Sequence, residues 1–592
     1  MCGIALIVGR GGNDQAGQGA DGGDGGGEAL FATMLRELRP RGEVTEVARE
    51  PGVLAGVRRL RIVDRERAVQ PWTTRRWLLC YNGEIFNYRQ LRTELGRLGR
   101  TFRSESDTEL VAEAFDEWGE EAVRRFRGEF AFAIVDRTSG RTYLARDPVG
   151  VKPLYWSLRA GRLHVASEVK ALVPARARVH EVPPGQHGWA GPKAGLESGS
   201  AVRLVAGPRA GQSGARAPEL SAYADLSGLG EHAPPLDDPA EAAEVLRLAV
   251  EDSVRVRADT DLPVGVILSG GLDSSIVLSL VRQLHPDCVA LTIGAPGSDD
   301  LVYARRLCAE LGVRHEVITV RPGDIRAADM REAIRMSELT EYGDIINAVV
   351  SVPLFARARD LGIKVVLTGD GSDELFGGYP MYERNGADAT RRLFLHMIRN
   401  LHRTELQRVD RISMGHSVEA RVPYLDPVVL EVAMRLPVSL KIRDGQEKWV
   451  LRQAFAGLLP DYILSRPKNP MSHSSGLHER ARLYRALFAS MQRSFGYGLL
   501  GSVRRDFSVL LSQCGHDLDL AVAAAQVRRD YTAAEHARDL AGALRWNVTA
   551  GLRSRGVAGV SSRGMAGVSA RSEAGVRSRS AAGISSRPSR RG

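Results

Sequence analysis

Chemistry-bearing residues fall into three short stretches of this 592-residue chain. The first is MCGIALIVGR, where Cys2 stands directly behind Met1. Two readings are open at these ten residues. Ile4, Leu6 and Val8 alternate behind the cysteine, so Cys2 can begin a buried strand as a small apolar residue. It can also be a nucleophile uncovered by removal of Met1. An α-amine titrates at roughly 8, close to a thiol, and can serve such a cysteine as its own base.

The second stretch is LPVGVILSGGLDSS. An apolar strand at 264–268 runs into Ser269, Gly270, Gly271, Leu272, Asp273, Ser274 and Ser275, and helical sequence follows. Glycines let the backbone approach an anion, and a helix N-terminus aims free N–H groups at it. The serines add donors, and Asp273 suits a magnesium ion. The lysine of a GxxxxGK[ST] loop is absent, which excludes a Walker-type site. In the third stretch, VVLTGDGSDELFGGY, Asp370, Asp373 and Glu374 share one turn. Three carboxylates repel one another unless a cation is present, so a magnesium role is expected for this turn; the plainer alternative is an acidic helix start.

These groups need elements to position them, and the chain is long enough for two or more domains. Composition, 43% hydrophobic and 26% charged, is that of a globular protein. Neither a bilayer-length apolar run nor a signal peptide is expected, and the protein is read as cytoplasmic with no membrane partner. Five scattered cysteines, without CxxC or HExxH, signal neither a disulfide framework nor zinc. The net charge of +10 hints at nucleic acid until it is located. Residues 551–592 hold nine arginines and one glutamate, so most of the charge lies in an eight-residue Gly/Ser/Arg repeat. Such a repeat buries too little apolar surface to fold, so it is read as a disordered tail rather than a nucleic-acid grip.

Residues 2–187 form short alternating runs punctuated by Gly, Pro and Asp, a β-rich layered pattern. The glycine-rich residues 10–28 read as a surface loop, and residues 188–238 as a linker. Residues 239–550 open with an amphipathic helix, then alternate apolar strands with helices, as in a parallel sheet covered on both faces, and end in helical sequence.

The strand–SGGxDSS–helix order resembles the pyrophosphate loop of N-type ATP pyrophosphatases. With GDGSDELFGGY, DRISMGHSVEARVPYLD, KWVLRQAF and RPKNPMSHSSG, the chain to about residue 550 resembles the glutamine-hydrolysing asparagine synthetases. That resemblance implies an Ntn-hydrolase-type αββα glutaminase domain in front, whose first mature residue is the nucleophile, here Cys2. It implies an oxyanion hole at Asn82 and Gly83 of NGEIFN. Glutamine is expected at Arg59, Leu60, Arg61, Ile62 and Val63 of RRLRIVD, with Glu84 and Asp107 on its amine. ATP is expected at Ile267, Ser269, Gly270, Gly271, Asp273, Ser274, Ser275, Ile293, Thr368 and Gly369, with Mg2+ on Asp273 and Asp373, and with Asp370 and Lys448 catalytic. The implied products are asparagine, AMP and pyrophosphate, or the amide of another carboxylate; a homodimer is the implied assembly. In the segment EYGDIINAVVS, Ile346, Asn347 and Val349 stand where the family carries threonines and an arginine, and Asn347 and Val349 are expected to face the adenylate. Two other readings fit less well. A β-lactam-synthetase-like cyclase has tyrosine at the place of Asp370 and no working Cys2, and an RNA-binding scaffold leaves every motif unused.

Overall fold

β1 (Cys2–Val8) is buried along its whole length because its two sets of alternate residues enter different cores. Cys2, Ile4, Leu6 and Val8 pack against residues of β5 (Trp77–Ile85) and β6 (Gly128–Asp136), among them Leu78, Cys80, Ala131 and Ala133. Ala5 and Ile7 pack on the other side against Phe31, Met34 and Leu35 of the helix Asp24–Glu37. The outer face of β5 and β6 buries Trp77, Leu79, Phe130 and Phe132 against Leu91, Leu110 and Phe115 from the helices Tyr88–Arg97 and Asp107–Trp118. Each such side chain contributes about 1.5–3 kcal/mol when withdrawn from water. The layers are therefore helix, sheet, sheet, helix, as expected from the resemblance.

The computed structural model describes residues 1–9, 24–191, 216–230, 233–321, 323–339, 342–382, 387–469 and 521, all within one compact unit, Met1–Ala533. β1 lies in an antiparallel sheet with β2 (Val44–Glu50), β3 (Val53–Arg59), β8 (Tyr155–Arg159), β9 (Arg162–Ala166) and β10 (Val179–Glu181), in the order β10-β8-β9-β1-β3-β2. β5 and β6 lie in the second, with β4 (Trp72–Thr73), β7 (Thr142–Arg146), β11 (Gln186–Ala190) and β12 (Glu219–Ala222), in the order β12-β11-β7-β6-β5-β4.

Two expectations change here. Residues 24–28 are not loop but the first turns of the helix Asp24–Glu37, because the apolar face of that helix is pinned to β1 and its glycines are drawn in. Residues 188–238 are not wholly a linker, since β11 and β12 extend the second sheet. Their small residues permit close backbone pairing, and a Cβ at Gly188 would meet the Glu219 carbonyl oxygen at 2.0 Å. Residues 10–23, the expected helical stretch beyond 469 and the basic repeat lie outside the described residues.

The third sheet is parallel throughout. β13 (Val264–Ile267), β14 (Val289–Gly294), β15 (Arg314–Thr319), β16 (Val365–Leu367) and β17 (Glu419–Arg421) take the order β15-β14-β13-β16-β17. One face packs Val264, Val266 and Leu367 on the helices Pro239–Ala258 and Leu272–Leu284; the other packs Leu291 and Val366 on Ile334, Ala348 and Val350. Among the described residues no helix is long and apolar enough to cross a membrane.

Buried charges join the two-sheet region to the parallel-sheet region. Arg41 pairs with Asp410 at 2.9 Å and with Glu168 at 2.7 Å. Glu129 takes Lys152 at 2.9 Å and Arg257 at 3.0 Å, and accepts the Val422 N–H at 3.1 Å. β17 is thus shared. Its backbone extends the parallel sheet and Ala420 packs in that sheet's core, while Glu419 and Arg421 reach the first region.

Candidate active sites

Cys2 opens β1 opposite Arg59, the last residue of β3. Its backbone N–H donates to Asn82 Oδ1 at 2.8 Å, which fixes the orientation of the Asn82 amide. Asn82 Nδ2 is consequently turned elsewhere, buried and without an acceptor. A buried donor left unpaired costs about 1–3 kcal/mol and is well placed to receive an oxyanion. Gly83 follows, and a Cβ there would meet the Glu129 carbonyl oxygen at 2.3 Å, so only glycine brings this backbone so close. Gln70, held by the Tyr81 N–H at 2.9 Å, aims Nε2 at Cys2 Sγ, 3.5 Å away.

With Met1 attached, the Cys2 nitrogen is an amide and cannot act as a base. The Met1 ammonium reaches across to Glu419 Oε2 of β17 at 3.2 Å. Burial raises the thiol above its ordinary range, and that ammonium pulls it back only in part.

Glu84 and Asp107 are both buried behind Asn82. Asp107 begins a helix N-capped by Ser106, and it accepts from Tyr81 Oη at 2.6 Å and the Ile85 N–H at 3.2 Å. Glu84 lies 3.4 Å from Arg421. Burial, and then Asp107, pushes Glu84 up to about 8; burial likewise raises Asp107. Two buried carboxylates short of positive charge form a receptor for an ammonium group. Arg59 is buried and engaged by Glu46 at 3.0 Å, while Leu60 and Ile62, with Val63 packed against them, join the apolar core that includes Leu246 and Val250. Arg61 is exposed and does not join this cluster.

The second site lies at the carboxyl ends of β13 and β16, where two turns meet. Gly270 has φ +68°, and a Cβ there would meet the Ala304 nitrogen at 2.7 Å. The helix Leu272–Leu284 then starts with Gly271 as its cap, so its first N–H groups face the turn. Ser269 and Ser274 hydroxyls are 3.1 Å apart, and Ser275 Oγ is buried without a partner. Gly369, after Thr368, packs against this helix start; a Cβ would meet the Ser274 nitrogen at 3.1 Å. Ile267 and Ile293 sit with the apolar core at the same strand ends.

Asp273 and Asp373 converge on one cation. Lys448 Nζ is 2.5 Å from a carboxylate oxygen of each, Ser372 Oγ donates to Asp273 at 2.8 Å, and Lys468 pairs with Asp373. Lys448 and then Lys468 hold the Asp373 carboxyl well below the usual range, against its burial. Two hard carboxylates this close fit Mg2+ together with phosphate oxygens. Among the described residues no three His, Cys, Asp or Glu side chains are grouped to hold a metal by themselves. Asp370, on the same turn, pairs with Arg408 at 2.9 Å.

The acceptor segment departs from expectation. Ile346 and Val349 face the apolar core around Leu291 and Val366 rather than the site, and an arginine at 349 would drive its charge into that core. Asn347 does lie on the site face. Sequence reasoning missed Gln70, Lys468, Arg408 and the Glu419–Arg421 pair. All four lie far along the chain from what they touch, and only the "EARVP" and "RPKN" motifs carried any signal for the last and for Lys468.

The pattern of a glutamine amidotransferase domain matches residues 1–184, and that of asparagine synthase matches residues 245–387 and 383–507. Glutamine-hydrolysing asparagine synthetase B of Escherichia coli K12 is 32% identical over 471 residues, covering 75% of this chain and 78% of the relative. A putative glutamine-hydrolysing asparagine synthetase of Methanocaldococcus jannaschii is 30% identical over 441 residues, covering 68% and 78%. That of Sandersonia aurantiaca is 31% identical over 513 residues, covering 80% and 87%.

Proposed function

We infer the activity from one premise: this chain belongs to the family of glutamine-hydrolysing asparagine synthetases. It converts aspartate, glutamine and ATP into asparagine, glutamate, AMP and pyrophosphate. The observation that carries this reading is the union, in one chain, of Cys2 against an Asn82 amide whose Nδ2 is unpartnered and an SGGLDSS turn closed by Asp373 and Lys448.

In the first half-reaction, removal of Met1 turns the Cys2 nitrogen into an amine beside Asn82 Oδ1. That amine takes the thiol proton, and sulfur attacks the side-chain amide of glutamine. Asn82 Nδ2 and the Gly83 backbone receive the oxyanion, Glu84 and Asp107 hold the substrate ammonium, and ammonia leaves. Water then hydrolyses the thioester to glutamate.

In the second, the turn at Ser269–Ser275 and Lys448 hold the triphosphate, with Asp273 and Asp373 as the metal ligands. Magnesium, when bound there, neutralises phosphate charge. The aspartate side-chain carboxylate attacks the α-phosphorus and pyrophosphate leaves. Ammonia then attacks the acyl carbon, Asp370 accepts a proton and AMP departs. Ammonia in open water would become ammonium, so its passage past β17 needs shelter. The four free, buried thiols among the described residues suit a reducing cytoplasm. A homodimer would be the assembly to weigh by light scattering.

The test is product analysis. Glutamine, aspartate and ATP should give asparagine, AMP and pyrophosphate in equal amounts; ADP and phosphate as stoichiometric products would sink the mechanism.

A pH effect follows from Glu84. Its raised value means that the folded protein holds this proton more tightly than the unfolded chain. That contribution to stability is present below the ordinary carboxylate range and is lost as pH rises through about 8. Glutamine binding runs the other way, because its ammonium needs the ionised form. In Cys2→Ala protein, which cannot turn glutamine over, glutamine affinity should rise between about pH 6 and pH 8 while the ligand-free melting temperature falls. Adding Glu84→Gln should flatten both trends; a flat affinity profile in the Cys2→Ala protein that keeps Glu84 would remove Glu84 from the ammonium site.

A further inference from the structure

A carboxylate acceptor needs a cation, and Val349 leaves the expected place apolar. Another arginine occupies the pocket. Arg408, from the helix Glu405–Met414, is 6% exposed. Its Nη2 lies 2.9 Å from Asp370 and its Nη1 3.4 Å from Ser351 Oγ. Its Nε–H is buried and has no acceptor. One turn back along the helix Tyr342–Asp360, Asn347 Oδ1 is buried and has no donor. Ser351 Oγ donates to the Asn347 carbonyl at 2.7 Å, so both positions share the helix face that meets Arg408. Asp344 precedes Asn347 on that face, and the carboxylates of Asp370, Glu405 and Asp344 all act on the one guanidinium.

Buried polar atoms in folded proteins are nearly always paired, so a donor and an acceptor orphaned in one pocket point to a ligand. The ligand must offer an anionic acceptor to Arg408 Nε and a donor to Asn347 Oδ1. We propose, resting on the function inferred above, that Arg408 and Asn347 hold the α-carboxylate and α-ammonium of the acceptor amino acid. The side-chain carboxylate of the acceptor is then left for the nucleotide turn beside Asp370. Specificity for an α-amino acid resides in these two residues, in place of an arginine at 349.

The experiment uses the full chain with ammonium chloride as nitrogen donor and AMP release as readout. Arg408→Gln should raise KM for aspartate roughly tenfold to a hundredfold, with KM for ATP nearly unchanged. Arg408→Lys should recover only part of this, because lysine lacks the planar fork. Asn347→Ala should narrow the preference of the pocket for aspartate over succinate, which lacks the ammonium and is measured as a competitive inhibitor. An unchanged KM for aspartate with a fallen kcat in Arg408→Gln would overturn the proposal and leave Arg408 as a positioning residue for Asp370. Equal rises in both KM values would overturn it as well, by marking a distorted site. If wild-type protein releases no AMP with aspartate, the failure belongs to the inferred function instead.

Discussion

Cys2→Ala is expected to lower glutamine-dependent asparagine formation by at least about a thousandfold, the scale on which loss of a covalent nucleophile acts. Formation from added ammonium salts should stay close to wild type. The reasons are spatial and chemical. Cys2 touches Asn82, Gln70 and the carbonyl-bound Arg41, all in the two-sheet region, whereas every group at the SGGLDSS turn comes from the parallel-sheet region. The thiol is also the only atom in the first site able to form the acyl intermediate. Assays of the variant with glutamine and with ammonium chloride separate the halves; equal loss in both would make Cys2 a structural residue.

Lys448→Met should abolish synthesis from either nitrogen source, by about 100- to 1,000-fold, and should spare glutamine hydrolysis. Lys448 is 2% exposed and, among the described residues, is the one cation paired with both Asp273 and Asp373. Without it Asp273 loses its ion partner and Asp373 keeps only Lys468, so the cation that joins the two carboxylates is gone. Breaking such a buried pair also costs about 3–5 kcal/mol of stability, so retained glutamine hydrolysis serves as the check on folding. Full synthesis in a folded Lys448→Met protein would place the nucleotide elsewhere.

Much of the second site was legible in the sequence, because a strand, a glycine turn and a helix start follow one another without interruption at 264–284. The layering of the front region was less so. β5 and β6 are buried on both faces, so their side chains do not alternate in polarity and the usual strand signal is lost. The strands β11 and β12 hide in glycine- and alanine-rich sequence whose pairing is decided by backbone approach. At the acceptor pocket, matching by position put the cation at 349, yet helical geometry turns that residue into the core. Arg408 fills the place from a different helix, a substitution in space that no local spacing records.

β17 has a consequence in time. The ribosome makes the two-sheet region long before it makes Glu419–Arg421. Until then Glu129 lacks the Val422 N–H, Glu84 lacks Arg421, and Arg41 lacks Asp410. The nascent front half keeps the Glu129–Lys152 and Arg41–Glu168 pairs, but Glu84 has no cation beside it and the far side of its glutamine pocket is missing. A chain ended at residue 230 should hydrolyse glutamine far more slowly than the full protein, and supplying the rest of the chain in trans should restore the rate. That outcome would tie ammonia release to completion of the receiving site during translation.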